Sequence, residues 1–341
     1  MTILALETSC DETAVAVLRG GELLASEISS QVAAHQPYGG VVPEVASRHH
    51  LQNAPKLLEG AISRAGISLG EVDAFAATSG PGLASSLMIG ASFAKGLALG
   101  FARPYLAINH LEGHLLSPFF GEVVAGGGDP GRSDVSIEPH IALVVSGGHT
   151  LLVEVRALGD YKILGRTRDD AAGEAFDKVA KMLGLGYPGG PEIERVARGG
   201  NPDRFDLPRS MLHSGDANFS FSGLKTAVRY LLPKVDLTAD RSDLCASFQR
   251  AVVDVLVAKT IGAAASTDRQ LVTVSGGVSR NRDLREQMSL GCKATGLDLR
   301  FAAPELCTDN AAMIAFAAQL RLTRGETTSL TTEIDPNLAL A

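Results

Sequence analysis

The chain has 341 residues, 45% of them hydrophobic and 5% aromatic with no tryptophan, and a formal net charge of −7. That length is enough for about two domains with sizeable cores. The acidic balance argues against binding nucleic acid through the whole surface, and the sparse aromatics argue against stacking platforms for single strands.

The four cysteines, Cys10, Cys245, Cys292 and Cys307, form no CxxC pair, so a reducing, cytoplasmic setting is expected. No uninterrupted apolar run reaches about 18 residues, so no membrane span is expected. The opening MTILALETSC has no basic n-region and reads as a strand of the mature protein rather than a signal peptide.

In chain order, ILALETSCDETAVAVL (3–18) predicts two β-rich runs around a polar elbow, a hairpin. Residues 72–98 then predict a buried strand, a Ser-Gly turn at Ser79 and an apolar helix, and PYLAIN leads into a helix bearing His110 and His114. Residues 124–138, VAGGGDPGRSDVSIE, carry a linker composition. The plan then repeats. IALVVSGGHTLLVEV (141–155) predicts a second hairpin. QLVTVSGGVSRNRDLREQM (270–288) predicts strand, Ser-Gly turn at Ser275 and helix. LRFAAPELCTDNAAMIAFAAQL runs into a helix with Asp309 near its start.

Three matched units in one order predict a duplicated α/β fold of two lobes. The hairpins are offset by 138 residues and the Ser-Gly turns by 196, so an insertion of 58 residues is expected within 156–250, mainly helical. The expected lobes are 1–138, with a helix at 310–325 packing back onto it, and 139–309.

No GxxxxGK[ST] or GxGxxG motif occurs. There are instead four short glycine clusters: Ser79–Gly82, Ser146–Gly148, Pro188–Gly190 and Ser275–Gly277. Glycine lets backbone N–H groups approach a phosphate, and a following helix N-terminus adds a favourable dipole. Each cluster alone reads as an ordinary turn. VVSGGHT and TVSGGVSRN together point to nucleotide held between two facing elbows, with Asn281 near the helix start to hydrogen-bond a ribose or base.

His110 and His114, four apart, share one helix face. Glu112 lies about 200° from His110 and so faces away from both imidazoles. It cannot serve as the general base of a HExxH zinc peptidase. Asp309 holds the matching place in the other half, and a pseudo-twofold would bring it and the histidines to the cleft between lobes. Two imidazoles and a carboxylate suit Fe(II) or Zn(II) with positions left open for substrate. His149 lies near by this reading, with turn packing as its plainer role, and helix capping is the plainer role of Asp309.

ETSCDETAVAV, NHLEGH, LVVSGGHT, GEAFDKVAKMLGLGYPGGP, FSFSGLKTAV and SGGVSRNRDLR resemble the universal tRNA threonylcarbamoyl-adenosine transferase family, in its bacterial TsaD form, from residue 2 to about 321. The resemblance implies the actin-like ATPase fold (actin/Hsp70/sugar kinase) with an interlobe cleft. It implies transfer of an L-threonylcarbamoyl group from threonylcarbamoyl-AMP to N6 of adenosine 37 in tRNAs reading ANN codons, in the cytoplasm. His110, His114 and Asp309 match the family's metal ligands, described as one Fe(2+) per subunit, with Zn(2+) as the substitute and Mg(2+) accompanying the nucleotide. Val144, Val145, Ser146, Gly147, Gly148, Asp177, Gly190 and Asn281 match its substrate-binding positions. Glu194 stands where some members carry aspartate. The implied partners are TsaB, which pairs with the first lobe, the ATPase TsaE, and a separate synthase that supplies the donor.

For this chemistry Asp11 and Glu12, at the first elbow, are candidates for removing a proton or positioning the amine. Residues 156–250 balance to +2 while the remainder balances to −9. Arg195, Arg198, Arg204, Arg209, Lys225 and Arg229 therefore form the expected tRNA-backbone face. Three rival readings are a metallopeptidase, a phosphotransferase acting on a sugar, suggested by the fold alone, and a nucleotide-binding scaffold without turnover.

Overall fold

A computed structural model describes residues 1–120 and 137–340, so most of the linker composition at 124–138 lies outside the described residues. The described residues divide into two compact units, residues 1–120 and 137 with 308–340, and residues 138–307.

The first unit is built on a five-stranded sheet in the order β3-β2-β1-β4-β5. Its strands are β1 (Thr2–Glu7), β2 (Glu12–Arg19), β3 (Glu22–Ser30), β4 (Ala74–Gly80) and β5 (Tyr105–Asn109). β1 pairs antiparallel with β2 and parallel with β4, and β4 pairs parallel with β5. Every residue of β1 and β4 is buried, the signature of central strands covered on both faces. Strand alternation sends Leu4, Leu6, Val15, Val17, Phe75 and Ala77 into one core with residues of the helices Pro43–Ala65 and Ala84–Gly100. The Ala311–Thr323 helix packs against β1, β2, β4 and β5. It is Ala-rich, and its first ten residues are all buried. Apolar on every side, it suits a core position and no surface one.

The second unit repeats the sheet: β8-β7-β6-β9-β10 is the same order read from the other edge. Its strands are β6 (His140–Val145), β7 (Thr150–Ala157), β8 (Asp160–Arg166), β9 (Leu271–Ser275) and β10 (Asp298–Phe301). The registers correspond pair for pair. Thr2↔Arg19 through Glu7↔Ala14 matches His140↔Val155 through Val145↔Thr150, so Glu7 and Val145 are topological equivalents.

Each hairpin gains a third antiparallel strand beyond the two that the hydrophobic pattern announces. β3 and β8 are edge strands of mixed exposure, which weakens their periodic signal. β8 falls inside the window 156–250, and the rest of that window up to Asp240 carries the helices Ala172–Met182, Gly189–Ala197 and Ser222–Leu231.

Candidate functional site

β5 ends at Asn109, whose side chain accepts a hydrogen bond from Leu111 N at 2.9 Å and so caps the following helix, His110–Leu116. The cap sets His110 and His114 one turn apart on the same face, both buried. Gly113, between them, allows a close approach to the Ala311–Thr323 helix. A Cβ there would lie 3.0 Å from Ile314 Cδ1 and Met313 Cγ.

Asp309 stands just before that helix. The cap is its neighbour Asn310, which accepts from Met313 N at 2.9 Å, and this leaves the Asp309 carboxylate for the imidazoles. Its Oδ1 lies 3.1 Å from His114 Nε2 and 3.4 Å from His110 Nε2. One ligand atom from each of the three residues falls within 4.8 Å of the other two. All three belong to the first unit. The donor set, two imidazole nitrogens converging on one carboxylate oxygen, is chemically that of a site for a divalent transition ion with open positions.

Glu112 faces away from this cluster. Its buried carboxylate receives Arg321 Nε at 2.7 Å and Nη2 at 3.0 Å, a two-pronged ion pair. It therefore cannot reach a ligand-bound water as a peptidase base would.

One carboxylate escaped the sequence reading. Glu7, the last residue of β1, is fully buried. Its Oε1 accepts from Ser9 N at 2.5 Å, and its Oε2 accepts from Thr78 Oγ1 at 2.5 Å and lies 3.1 Å from His110 Nδ1.

Burial opposes charge on His110, but Asp309 and Glu7 outweigh it and hold that imidazole's pKa well above the ordinary value. Burial likewise opposes ionisation of Asp309 and Glu7. His110 and His114 pull Asp309 well below the usual carboxylate range, and His110 with the Thr78 hydrogen bond lowers Glu7. At the elbow, burial and then the charges of Asp309 and Asp11 push Glu12 up to about 9. Burial, Asp11 and Asp309 also raise the Cys10 thiol well above its usual value. Glu12 Oε1 accepts from Ser30 Oγ at 3.3 Å. Both candidate elbow carboxylates thus sit in the same unit as the triad, and Glu12 lies within the field of Asp309.

In the second unit Val144 and Val145 are fully buried in β6, so they present only backbone. The Ser146–Gly148 turn is closed by Ser146 N to His149 O at 2.8 Å and His149 N to Ser146 Oγ at 3.1 Å. The turn is pinned from below. Gly173 N donates to Ser146 O at 3.2 Å, and a Cβ on Gly173 would lie 2.6 Å from that oxygen. Gly147, Gly148 and Gly190 face open space.

Asp177 Oδ1 accepts Gly189 N at 2.6 Å, which ties the Pro188–Gly190 turn to the Ala172–Met182 helix. Glu194 is half-buried on the Gly189–Ala197 helix. Asn281 caps the Arg282–Thr295 helix through Leu284 N at 3.0 Å and donates to Gln249 Oε1 at 2.8 Å. Gly276 has φ +89° and lies against Val145 O.

The Ser79–Gly82 turn is covered by the chain itself. Asp335 N donates to Ser79 O at 2.8 Å, and Gly82 N donates to Pro336 O at 3.1 Å.

Three of the six basic residues of the 156–250 window are paired: Arg195 with Glu192, Arg209 with Asp254 and Lys225 with Asp170. Arg198, Arg204 and Arg229 are exposed. Among the described residues, no helix is long and apolar enough to cross a membrane.

A family model described as TsaD, tRNA N6-adenosine threonylcarbamoyltransferase, matches residues 22–316. A relative of that name from Aromatoleum aromaticum is 50% identical over 328 residues, covering 96% of this chain and 93% of its own. Among solved structures, HypF from T. kodakarensis aligns with a TM-score of 0.64 at 15% identity, over 95% of this chain and 48% of its own. ROK hexokinase from Thermus thermophilus aligns with a TM-score of 0.51 at 15% identity, over 95% and 100%. At such identity the two structures speak for fold alone: a duplicated actin-like ATPase fold of the actin, Hsp70 and sugar-kinase type.

Proposed function

Because the chain belongs to the tRNA N6-adenosine threonylcarbamoyltransferase family, we propose that it takes the threonylcarbamoyl group from threonylcarbamoyl-AMP and places it on N6 of adenosine 37 in tRNAs reading ANN codons. The observation that carries the site assignment is the convergence of His110, His114 and Asp309 in one unit.

These three residues would hold one Fe(2+) per chain, with Zn(2+) as a chemically suitable substitute. Bound there, the ion supplies Lewis acidity and a template for the threonylcarbamoyl oxygens. The donor is a mixed anhydride. The N6 amine attacks its carbamoyl carbon, the bond to the AMP phosphate oxygen breaks, and N6 gives up a proton. Proximity of the two bound reactants supplies much of the rate.

The adenylate would lie in the second unit, with Mg(2+) accompanying its phosphate. The open backbone of Gly147 and Gly148, in the turn that Ser146 closes, would meet the phosphate, and Gly190 would leave room beside it. Val144 and Val145 hold that turn in the sheet. Asp177 shapes the Pro188–Gly190 turn and can meet ribose hydroxyls, and Glu194 lies on the next helix. Asn281 would contribute through its cap of the Arg282–Thr295 helix. In the first unit Asp11 and Glu12, adjacent at the elbow, would orient the incoming amine and pass on its proton.

Exposed Arg198, Arg204 and Arg229 are the proposed contacts to the tRNA backbone. TsaB would cover the first unit, a reading supported by exposed Leu51, Met88 and Leu99 on its two long helices. TsaE would join that assembly, and a separate synthase would supply the donor.

The test is reconstitution with threonylcarbamoyl-AMP, unmodified tRNA and the partner subunits, scored by nucleoside mass spectrometry. Threonylcarbamoyl-adenosine is expected at position 37. Full transfer by a His110→Ala, His114→Ala double variant would refute the metal assignment.

A further inference from the structure

We infer that Glu7 is a positioning residue for the metal centre, holding His110 as the Nδ1–H tautomer so that its Nε2 lone pair is turned toward the ion. The inference rests on the metal reading of the triad.

A carboxylate buried in a core is costly unless its oxygens are satisfied. Glu7 is fully buried, and its partners are brought from three places in the chain. Ser9 N lies 2.5 Å from Oε1, while Thr78 Oγ1 at 2.5 Å and His110 Nδ1 at 3.1 Å reach Oε2. Ser9 N–H and the Thr78 hydroxyl fix the carboxylate and leave Oε2 to accept from the imidazole. Ser9 Oγ also approaches Nδ1, but at 3.3 Å and without charge, so the carboxylate is the stronger acceptor. With the proton on Nδ1, Nε2 is left as a ligand, and it points at Asp309 Oδ1, 3.4 Å away.

Metal-binding histidines usually donate their second N–H to a carboxylate or carbonyl, which fixes the ring and raises its basicity. His110 meets that pattern. His114 does not, because its Nδ1 is buried with no hydrogen-bond partner. The ring pair, edge to face at 4.8 Å, therefore has one member engaged at both nitrogens and one engaged at Nε2 alone, by Asp309 at 3.1 Å.

The fold itself does not call for Glu7. Its equivalent in the second sheet, at the same place in the same hairpin register, is Val145, fully buried and apolar. One unit thus has a charge where the other shows that the scaffold accepts a hydrocarbon. Together Glu7 and Asp309 also supply two negative charges, the number that balances a divalent ion.

The experiment titrates the metal-free chain and three variants with Co(2+) alone. Visible absorption is read for coordination, and competition with a chelator is read for affinity. Glu7→Gln keeps the volume and removes the charge. It is expected to weaken binding by about ten- to a hundredfold, the range typical of lost outer partners, and to shift the Co(2+) bands. Thr78→Val keeps the carboxylate but removes one of its donors, and is expected to weaken binding in the same direction by a smaller factor. Asp309→Asn should abolish the spectrum.

Thermal unfolding of each metal-free variant reports its folding, and Thr78→Val carries the test if Glu7→Gln does not fold. Unaltered affinity and bands in the folded variants overturn the inference while leaving the metal reading intact. If the unmodified chain binds no Co(2+), both are overturned.

Discussion

The two units share one strand order and one hairpin register, yet they use the elbow between the first two strands in opposite ways. In the first unit the elbow runs Thr8–Asp11 between Glu7 and Glu12. It sets Glu7 against His110 at 3.1 Å and leaves Glu12 beside Asp11 within the field of Asp309. In the second it is the four-residue turn Ser146–His149, whose glycines open onto empty space. One elbow presents side-chain charge held by buried hydrogen bonds, and the other presents bare backbone. A duplicated scaffold can therefore carry converging charged side chains at one elbow and bare backbone at the other without altering its strand order.

Breaking the first elbow's site should have the largest effect. Asp309→Asn removes the carboxylate shared by both imidazoles and should cut threonylcarbamoyl transfer by roughly 10³-fold or more, since Lewis-acid stabilisation is worth several kcal/mol. Donor binding in the second unit should survive, as measured by calorimetry with a non-transferable adenylate.

Next in size is a pH effect confined to the second unit. Burial lowers the pKa of His140 to about 4. Below the unfolded value near 6.5 the unfolded chain takes up a proton that the folded one refuses. The contribution of His140 to stability should therefore fall as pH drops from about 6.5 to 4, by up to ~3 kcal/mol, read as the difference between the unmodified chain and a His140 variant. His140→Gln should flatten that part of the curve in denaturant titrations of the metal-free chain.

Gly173→Ala should come third. Its Cβ would press on Ser146 O and on the Gly147 backbone, moving the second elbow at a cost of about 1–3 kcal/mol. The KM for donor should rise about tenfold, and Co(2+) affinity of the first unit should not change. Equal loss of metal binding would mean the two elbows are coupled and the contrast drawn here is false.

The finest comparison uses the two asparagine caps. Asn281→Ala and Asn310→Ala should each cost ~1 kcal/mol, read as a drop of a few degrees in Tm. Only Asn310→Ala should also weaken metal binding, because it loosens the backbone beside Asp309. A specific rise in donor KM with Asn281→Ala would give that amide a ligand-binding role beyond the cap.

Much of this contrast was legible in the order of sequence patterns. The repeated hairpin and Ser-Gly plan announced the duplicated fold, and the i, i+4 histidines with Glu112 turned away gave the helix face. Glu7 was not legible. It reads as the polar end of an apolar strand, and its meaning depends on Thr78 and His110, 71 and 103 residues away. The division of labour in TDNAA was also hidden. Asp309 and Asn310 are both fit to cap a helix, and only the folded backbone selects Asn310. Of the six basic residues grouped by sequence, half are neutralised by partners that composition cannot reveal, and Asp254, 45 residues beyond Arg209, is one of them.

The bare backbone at Gly113 has a mechanical consequence. The helix bearing both imidazoles leans on its neighbour through an atom that is not there, with contacts at 3.0 Å awaiting any methyl. Alanine or serine at that position would act as a graded wedge, prising the two helices apart by a few tenths of an ångström. Such a series would be a ruler for how wide the aperture between rings and carboxylate can open before an ion no longer bridges it.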